Sequence, residues 1–227
     1  MADEINQTAI QFLDQLTIIE QLFEKEGIDL SALSILVMIG EHGVNGHAFI
    51  HEEKSMAWFA LESFSSERSM QVFIAHEIVH ALYYDLHPDS YFTTKGEQRT
   101  VGRLLIVEGL ATYLSMKVLQ ADEAMALWAD TLEPLHLSDW MNSCDSQWSA
   151  LCQSVYTDFS DTGTTNKLFW AADPSSVFSF RAGYYVGLEF IRWFAETNAL
   201  TPSQLLLTPY ATLLEAATQY LQMNSKE

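Results

Sequence analysis

The chain has 227 residues, of which 48% are hydrophobic, so it is long and apolar enough to bury the core of a globular protein. It has 30 acidic residues and only 11 lysines and arginines, which gives a formal net charge of −19. Nucleic acids and anionic membrane surfaces bind basic patches, so this charge argues against both as partners.

Neither a membrane span nor a leader is predicted. No apolar run reaches the length that crosses a bilayer, and the N-terminal residues lack the basic and apolar segments of a signal peptide. We therefore expect a cytoplasmic protein, with secretion by a leaderless route left open. Cys144 and Cys152 are the only cysteines, too few for a disulfide framework, and we expect both to be reduced thiols.

The first part of the chain predicts a helix followed by a small sheet. Apolar side chains recur at helical spacing over residues 4–25. Residues 34–39 then predict a buried strand. Two further short strands are expected near residues 47–51 and 56–61, with the charged residues 52–54 as their connection.

The next predicted helix carries the pentapeptide His-Glu-Ile-Val-His at residues 76–80. Histidines four apart lie on one face of a helix, so the imidazoles of His76 and His80 can converge on one metal ion, for which Zn²⁺ is the usual choice. Glu77 lies beside them, within reach of a water on the ion as a general base. Polar groups inside so apolar a helix need a functional reason. The helix should end near Asp85, ahead of a His-Pro pair.

A second apolar helix is predicted over residues 100–119, and one carboxylate interrupts it. Glu108 follows four consecutive large aliphatic residues. Its side chain is therefore expected to be buried, and to need a cation or a full set of hydrogen bonds. The alternative is an exposed glutamate on a polar edge of the helix. Gly109 and Ala111 are small enough to let this helix approach another closely.

The rest of the chain predicts helices near residues 121–133, 136–160 in one or two pieces, 177–197 and 209–223, with irregular loops at 87–99 and 160–175. The sequence shows no internal repeat and no flexible linker. The simplest architecture is a single α+β domain over residues 1–227, with an α/β subdomain of about 1–86 and a helical subdomain of about 87–227.

A catalytic zinc site needs a third protein ligand and leaves one position for water. His87 is one candidate, but on a straight helix it would lie about 10 Å from His80, far beyond a Zn–N bond of about 2 Å. Glu108 on the following helix is the better candidate. The remaining histidines are expected on the surface or in loops: His42, His47, His51 and His136.

Together these motifs resemble the gluzincin clan of zinc metallopeptidases, which includes thermolysin-like enzymes, zinc aminopeptidases and families of predicted zinc proteases with an EGLA-type second motif. The resemblance rests on the HExxH pentapeptide and on Glu108 within the string Val-Glu-Gly-Leu-Ala-Thr-Tyr, and covers roughly residues 45–115. It implies a thermolysin-like core, with a small N-terminal sheet packed on the active-site helix and a mostly helical C-terminal half. It also implies one Zn²⁺ per chain, held by His76, His80 and Glu108.

The resemblance implies a substrate strand and outer partners for the histidines as well. In the clan an edge strand just upstream of the HExxH helix binds the substrate backbone, and here that strand would be residues 57–61. Thermolysin has an aspartate four residues after its glutamate ligand, where this chain has Thr112. A threonine can orient an imidazole without charge, and Asp85 and Asp89 are alternative partners.

The clan also places a tyrosine or histidine opposite the base, where it stabilises the oxyanion of the tetrahedral intermediate. By that resemblance Tyr184 is the favoured residue, with Tyr185 second, and Arg181 would bind a substrate carboxylate or carbonyl. The alternative is that both tyrosines are core aromatics and that Arg181 pairs with a surface acid.

The sequence therefore predicts a zinc-dependent hydrolase of peptide bonds, acting on a peptide or protein substrate with Glu77 as general base. One alternative is a module on the same fold that holds zinc and binds a partner without turnover. Another is that the HExxH is accidental and no metal binds. Substrate, cleavage specificity and oligomeric state are not predicted.

Overall fold

The computed structural model describes residues 2–40, 45–92, 94–98 and 100–225. Within these ranges the chain is an α+β protein, as predicted, with one three-stranded sheet among many helices. None of the described helices has both the length and the apolar character needed to cross a bilayer.

The chain folds into two compact units, each assembled from separate stretches of sequence. The first comprises Met1–Pro88, Leu114–Thr131 and Thr201–Leu207, and the second comprises Asp89–Tyr113, Leu132–Leu200 and Thr208–Glu227. The single domain with subdomains of about 1–86 and 87–227 stays a prediction.

The first unit begins with helix α1, Ala2–Lys25, which confirms the helix predicted over residues 4–25. Phe12, Ile19 and Phe23 are fully buried and recur at helical spacing, so α1 turns one apolar face inward. The ring of Phe12 lies against a phenylalanine of the sheet described next.

Three strands follow α1: β1 (Ser34–Met38), β2 (Gly46–His51) and β3 (Lys54–Ala60). They confirm the strands predicted in this part of the chain. β2 and β3 form a hairpin whose two turn residues, Glu52 and Glu53, both have positive φ, at 49° and 62°. Positive φ at both positions matches the twist of the flanking strands in a two-residue hairpin.

The order of the strands corrects two expectations. β3 lies in the centre of the sheet, parallel to β1 on one side and antiparallel to β2 on the other. Residues 57–61 are therefore not the edge strand that the resemblance implies. β1 is an edge strand, and its Leu36 and Met38 are 41% and 42% exposed rather than buried. Both errors have one cause, because the parallel pairing joins segments that are distant in the chain and no local pattern reveals it.

Helix α2, Glu67–Leu86, carries the HExxH and packs against α1, β2 and β3. Ser66 caps its start, since the Ser66 hydroxyl accepts a hydrogen bond from the Ser69 amide and the Ser69 hydroxyl accepts one from the Ser66 amide. The helix ends at Leu86, one residue after the predicted Asp85, and His87 caps it ahead of Pro88. The small sheet thus packs on the HExxH helix, in agreement with the expectation.

The remaining helices are α3 (Lys95–Gln98), α4 (Val101–Leu119), α5 (Glu123–Trp128), α6 (Pro134–Ser146), α7 (Trp148–Thr157), α8 (Thr165–Phe169), α9 (Ala182–Thr197), α10 (Pro202–Leu206) and α11 (Tyr210–Asn224). The long ones confirm the predicted helices, although α5 is shorter than predicted. The short helices α3 and α8 lie where loops are predicted.

Within the second unit, the part of α4 before Leu114 crosses α9, with the two backbones in contact at two glycines. A Cβ added to Gly109 would lie 2.5 Å from the carbonyl carbon and oxygen of Gly187, and a Cβ on Gly187 would lie 2.6 Å from the carbonyl oxygen of Leu105. This crossing confirms the prediction that Gly109 lets its helix approach another closely.

Candidate metal centre on helix α2

His76 and His80 bring two imidazole nitrogens together on α2. Their Nε2 atoms lie 3.1 Å apart, and the two rings meet edge to face at 82°, with centroids 4.7 Å apart. Two nitrogens bound to one tetrahedral zinc at about 2.0–2.1 Å would be separated by about 3.3 Å. The spacing of the pair is therefore close to that of two ligands of one ion.

Glu77 completes the cluster. One ligand atom from each of His76, Glu77 and His80 lies within 4.8 Å of the other two, and within the described part of the chain no other three histidine, cysteine, aspartate or glutamate side chains come together in this way. The described structure thus brings together two imidazole nitrogens and one carboxylate oxygen, which are donor types that zinc prefers.

The three members of the cluster differ in their exposure to solvent. His80 is only 6% exposed, and its ring stacks on that of Tyr84 at 5.8 Å. His76 and Glu77 are half-buried. His80 is thus the most enclosed member of the cluster, whereas His76 and Glu77 keep part of their surface exposed to solvent.

The stem of the Glu77 side chain lies against the start of β2. A Cβ added to Gly46 would come within 3.3 Å of the Glu77 Cγ. Nothing in the local sequence pattern indicates that Gly46 lies beside the proposed base.

Glu108 lies on α4 in the second unit and is not a member of the α2 cluster. Its side chain is half-buried, less than predicted, between the buried Val107 and the Gly109 crossing. Its role as third ligand stays a prediction.

The two candidate tyrosines at the start of α9 have different surroundings. Tyr185 is buried between the rings of Trp140 and Trp148, and its hydroxyl donates a hydrogen bond of 2.5 Å to Asp145. The hydroxyl of Tyr185 is therefore committed to a structural hydrogen bond. Tyr184, in contrast, is half-buried.

Arg181 stands directly before α9 in a left-handed conformation, with φ of 58°. Its guanidinium carbon lies 4.2 Å from the centre of the Tyr184 ring, a cation–π contact. The edge of Phe169 approaches the same ring, with centroids 5.8 Å apart. The guanidinium of Arg181 and the ring of Tyr184 are thus in direct contact.

The histidines outside the cluster differ in their exposure. His51 and His136 are exposed, as predicted, whereas His47 is half-buried on β2. His42 lies outside the described residues. The Nε2 of His87 lies 3.0 Å from the carbonyl oxygen of Leu206.

Three residues are predicted as outer hydrogen-bond partners of the imidazoles. Thr112 is fully buried, whereas Asp85 and Asp89 are exposed.

Cys144 and Cys152 are free and fully buried, which agrees with the prediction of reduced thiols. Burial raises the pKa of each thiol to about 12. Both therefore stay protonated and unreactive near neutral pH.

An HExxH helix packed on a small sheet, with two imidazole nitrogens at the spacing of metal ligands, defines the class: an α+β protein with a candidate zinc centre. Residues 21–215 match the model of the family described as "Predicted Zn-dependent protease (DUF2268)", and the chain belongs to this family. No curated protein and no solved structure gives a significant match to the chain. The family description agrees with the predicted zinc and protease activity, while the gluzincin assignment and the thermolysin-like core stay predictions.

Proposed function

We propose that the chain is a zinc-dependent peptidase in which His76, His80 and Glu108 hold the metal and Glu77 is the general base. The observation that carries this proposal is the separation of 3.1 Å between the Nε2 atoms of His76 and His80. Membership of a family described as predicted zinc-dependent proteases supports it.

The residues fit zinc by their chemistry. Two imidazoles and a carboxylate are a common ligand set of catalytic zinc, which keeps its fourth position for water or substrate. When bound, the metal would polarise the scissile carbonyl and lower the pKa of a water molecule. The half-burial of His76 and Glu77 agrees with a centre that substrate can reach.

Glu77 would move the proton of the reaction. It would accept a proton from the attacking water and later deliver it to the leaving amine, as a general base and then a general acid. Its carboxylate lies in the same cluster as the two imidazoles, so the proton acceptor and the two proposed histidine ligands lie within about one turn of α2.

Tyr184 is the proposed donor to the oxyanion. The hydroxyl of its neighbour Tyr185 donates a hydrogen bond to Asp145, and the Tyr185 ring lies between two tryptophans. Tyr184 is therefore the better candidate. The cation–π contact with Arg181 would fix the Tyr184 ring and place a positive charge beside it for a substrate carbonyl or carboxylate.

We propose that the substrate backbone pairs with the outer edge of β2. Among the described residues this strand pairs only with β3, and it begins at Gly46, against the stem of Glu77. An extended peptide added to this edge would gain main-chain hydrogen bonds beside the proposed base.

The Glu77→Gln variant tests the proposal. We expect kcat for peptide cleavage to fall by about 10²–10⁴-fold while the zinc content stays unchanged, because glutamine keeps the shape of glutamate but cannot accept the proton. Elemental mass spectrometry and cleavage of a peptide library would measure the two quantities. Glu67→Gln, at the exposed first turn of α2, is the matched control.

Full activity of Glu77→Gln would exclude Glu77 as the base. Stoichiometric zinc in a wild-type protein that cleaves no peptide would favour the alternative of a zinc-holding binding module. Partner capture with the wild type and with Glu77→Gln would then distinguish a substrate, which only the inactive variant retains, from a stable partner, which both proteins bind.

A further inference from the structure

Gly46 stands where three different groups leave no room for a side chain. It is the first residue of β2, is buried, and lies opposite Phe59 of β3 in the sheet register. A Cβ added to it would lie 2.9 Å from the carbonyl oxygen of Trp58, 3.0 Å from Cδ1 of Phe59 and 3.3 Å from Cγ of Glu77. All three distances are shorter than an ordinary van der Waals contact.

The three neighbours differ in how easily they can move. The Trp58 carbonyl belongs to the backbone of β3, which is paired on both sides. The Phe59 ring is fully buried and lies 5.2 Å from the ring of Phe12. Glu77 is half-buried and can rotate about its side-chain bonds. Of the three groups, Glu77 is therefore the one that can move away from a side chain at Gly46, although its contact at 3.3 Å is the longest.

We propose that Gly46 is a positioning residue for Glu77: its bare backbone leaves the space in which the Glu77 stem lies, and so determines where the carboxylate sits beside His76 and His80. Gly46 has no side chain and supplies no catalytic group itself. This inference rests on the proposed function, because it assigns Glu77 the part of the base.

The predicted consequence is specific to the base. A methyl group at Gly46 would move the Glu77 carboxylate, and a misplacement of about 1 Å can cost about 100-fold in rate. The imidazoles of His76 and His80 are not among the three groups nearest to the added Cβ, so the metal should still bind. A residue that served only the sheet would lower stability without lowering kcat selectively.

The test compares Gly46→Ala with Gly40→Ala. A Cβ on Gly40 would lie 2.7 Å from the Ala60 Cβ and 3.5 Å from Cζ3 of Trp58, so the control crowds the same strand without approaching Glu77. We expect Gly46→Ala to lower kcat by about 100-fold with zinc content and KM near those of the wild type. Gly40→Ala should keep kcat. Equal kcat in the two variants would overturn the inference.

A second measurement does not depend on turnover. The Tm loss caused by Gly46→Ala is measured in the wild type and in a Glu77→Ala background, where the crowded Cγ is absent. We expect a smaller loss in that background, since contacting residues are coupled. Equal losses would overturn the inference. If Gly46→Ala fails to fold alone, recovery of folding in the double variant supports it and failure in both refutes it.

These results separate the two proposals. A wild-type protein that cleaves no peptide would remove the proposed function, whereas coupling between positions 46 and 77 in the Tm measurement would still support the placement of Glu77 by Gly46. Additive Tm losses in an active enzyme would remove the inference and leave the peptidase in place.

Discussion

Helices α2 and α4 both carry polar side chains inside apolar sequence, but they place them by different means. On α2 the imidazoles of His76 and His80 meet across one turn, with their Nε2 atoms 3.1 Å apart. On α4 the half-buried Glu108 is next to Gly109, whose backbone touches that of Gly187 on α9. The first arrangement is internal to one helix, whereas the second depends on a contact between distant parts of the chain.

The two parts of the proposed site therefore differ in how far they depend on the rest of the fold. A pair four residues apart is set by the helical repeat, so it forms wherever the helix forms. A side chain beside a glycine crossing keeps its place only while two backbones stay in contact, and one added methyl group is enough to separate them.

Removal of single ligands tests the comparison most strongly. We expect His80→Ala to lower zinc affinity by more than about 100-fold, because losing even an outer partner of a ligand costs about 10–100-fold. Glu108→Ala should lower it sharply as well if α4 supplies the third ligand. Elemental mass spectrometry and competition with a chelator would measure both.

The exposed His136 on α6 is the matched control, and His136→Ala should retain the zinc of the wild type. Unchanged zinc content in Glu108→Ala would confine the metal site to α2. No stoichiometric metal in the wild type, even after zinc is added back, would refute the metal site altogether.

The neighbouring tyrosines of α9 offer a second contrast, since Tyr184 is half-buried whereas Tyr185 is buried and donates its hydroxyl to Asp145. We expect Tyr184→Phe to lower kcat by about 10–100-fold, less than the 10²–10³-fold of a sole oxyanion donor because the metal shares the charge. Tyr185→Phe should keep kcat and lower the free energy of unfolding by about 1 kcal/mol, the worth of its hydrogen bond to Asp145. The opposite pattern of losses would make Tyr185 the donor.

The crossing of α4 and α9 gives the third test. Gly109→Ala should lower the free energy of unfolding by about 1–3 kcal/mol, because its Cβ would collide with the backbone of Gly187. Gly96→Ala is the matched control, since among the described residues its Cβ would come within 4 Å of the Thr94 hydroxyl alone, at 3.7 Å. Denaturant unfolding would compare them. Equal stability of the two variants would contradict a tight crossing.

Short-range patterns in the sequence determined most of the secondary structure and the α2 cluster. The apolar spacing of α1, the Ser66 cap and the His-Pro stop of α2 all act within a few residues, so they can be recognised without a structure. The same holds for His76, Glu77 and His80, since a helix alone places them on one side.

The position of β3 in the centre of the sheet, the hydrogen bond of Tyr185 and the neighbour of Glu77 could not be predicted from the sequence, because each depends on tertiary contacts. β3 is central because β1 pairs with it in parallel from an earlier part of the chain, and Tyr185 is committed because Asp145 on α6 reaches its hydroxyl. Gly46 lies against Glu77 because β2 packs on α2. Each of these contacts joins residues far apart in sequence, and such pairings depend on the packing of whole elements rather than on any local pattern.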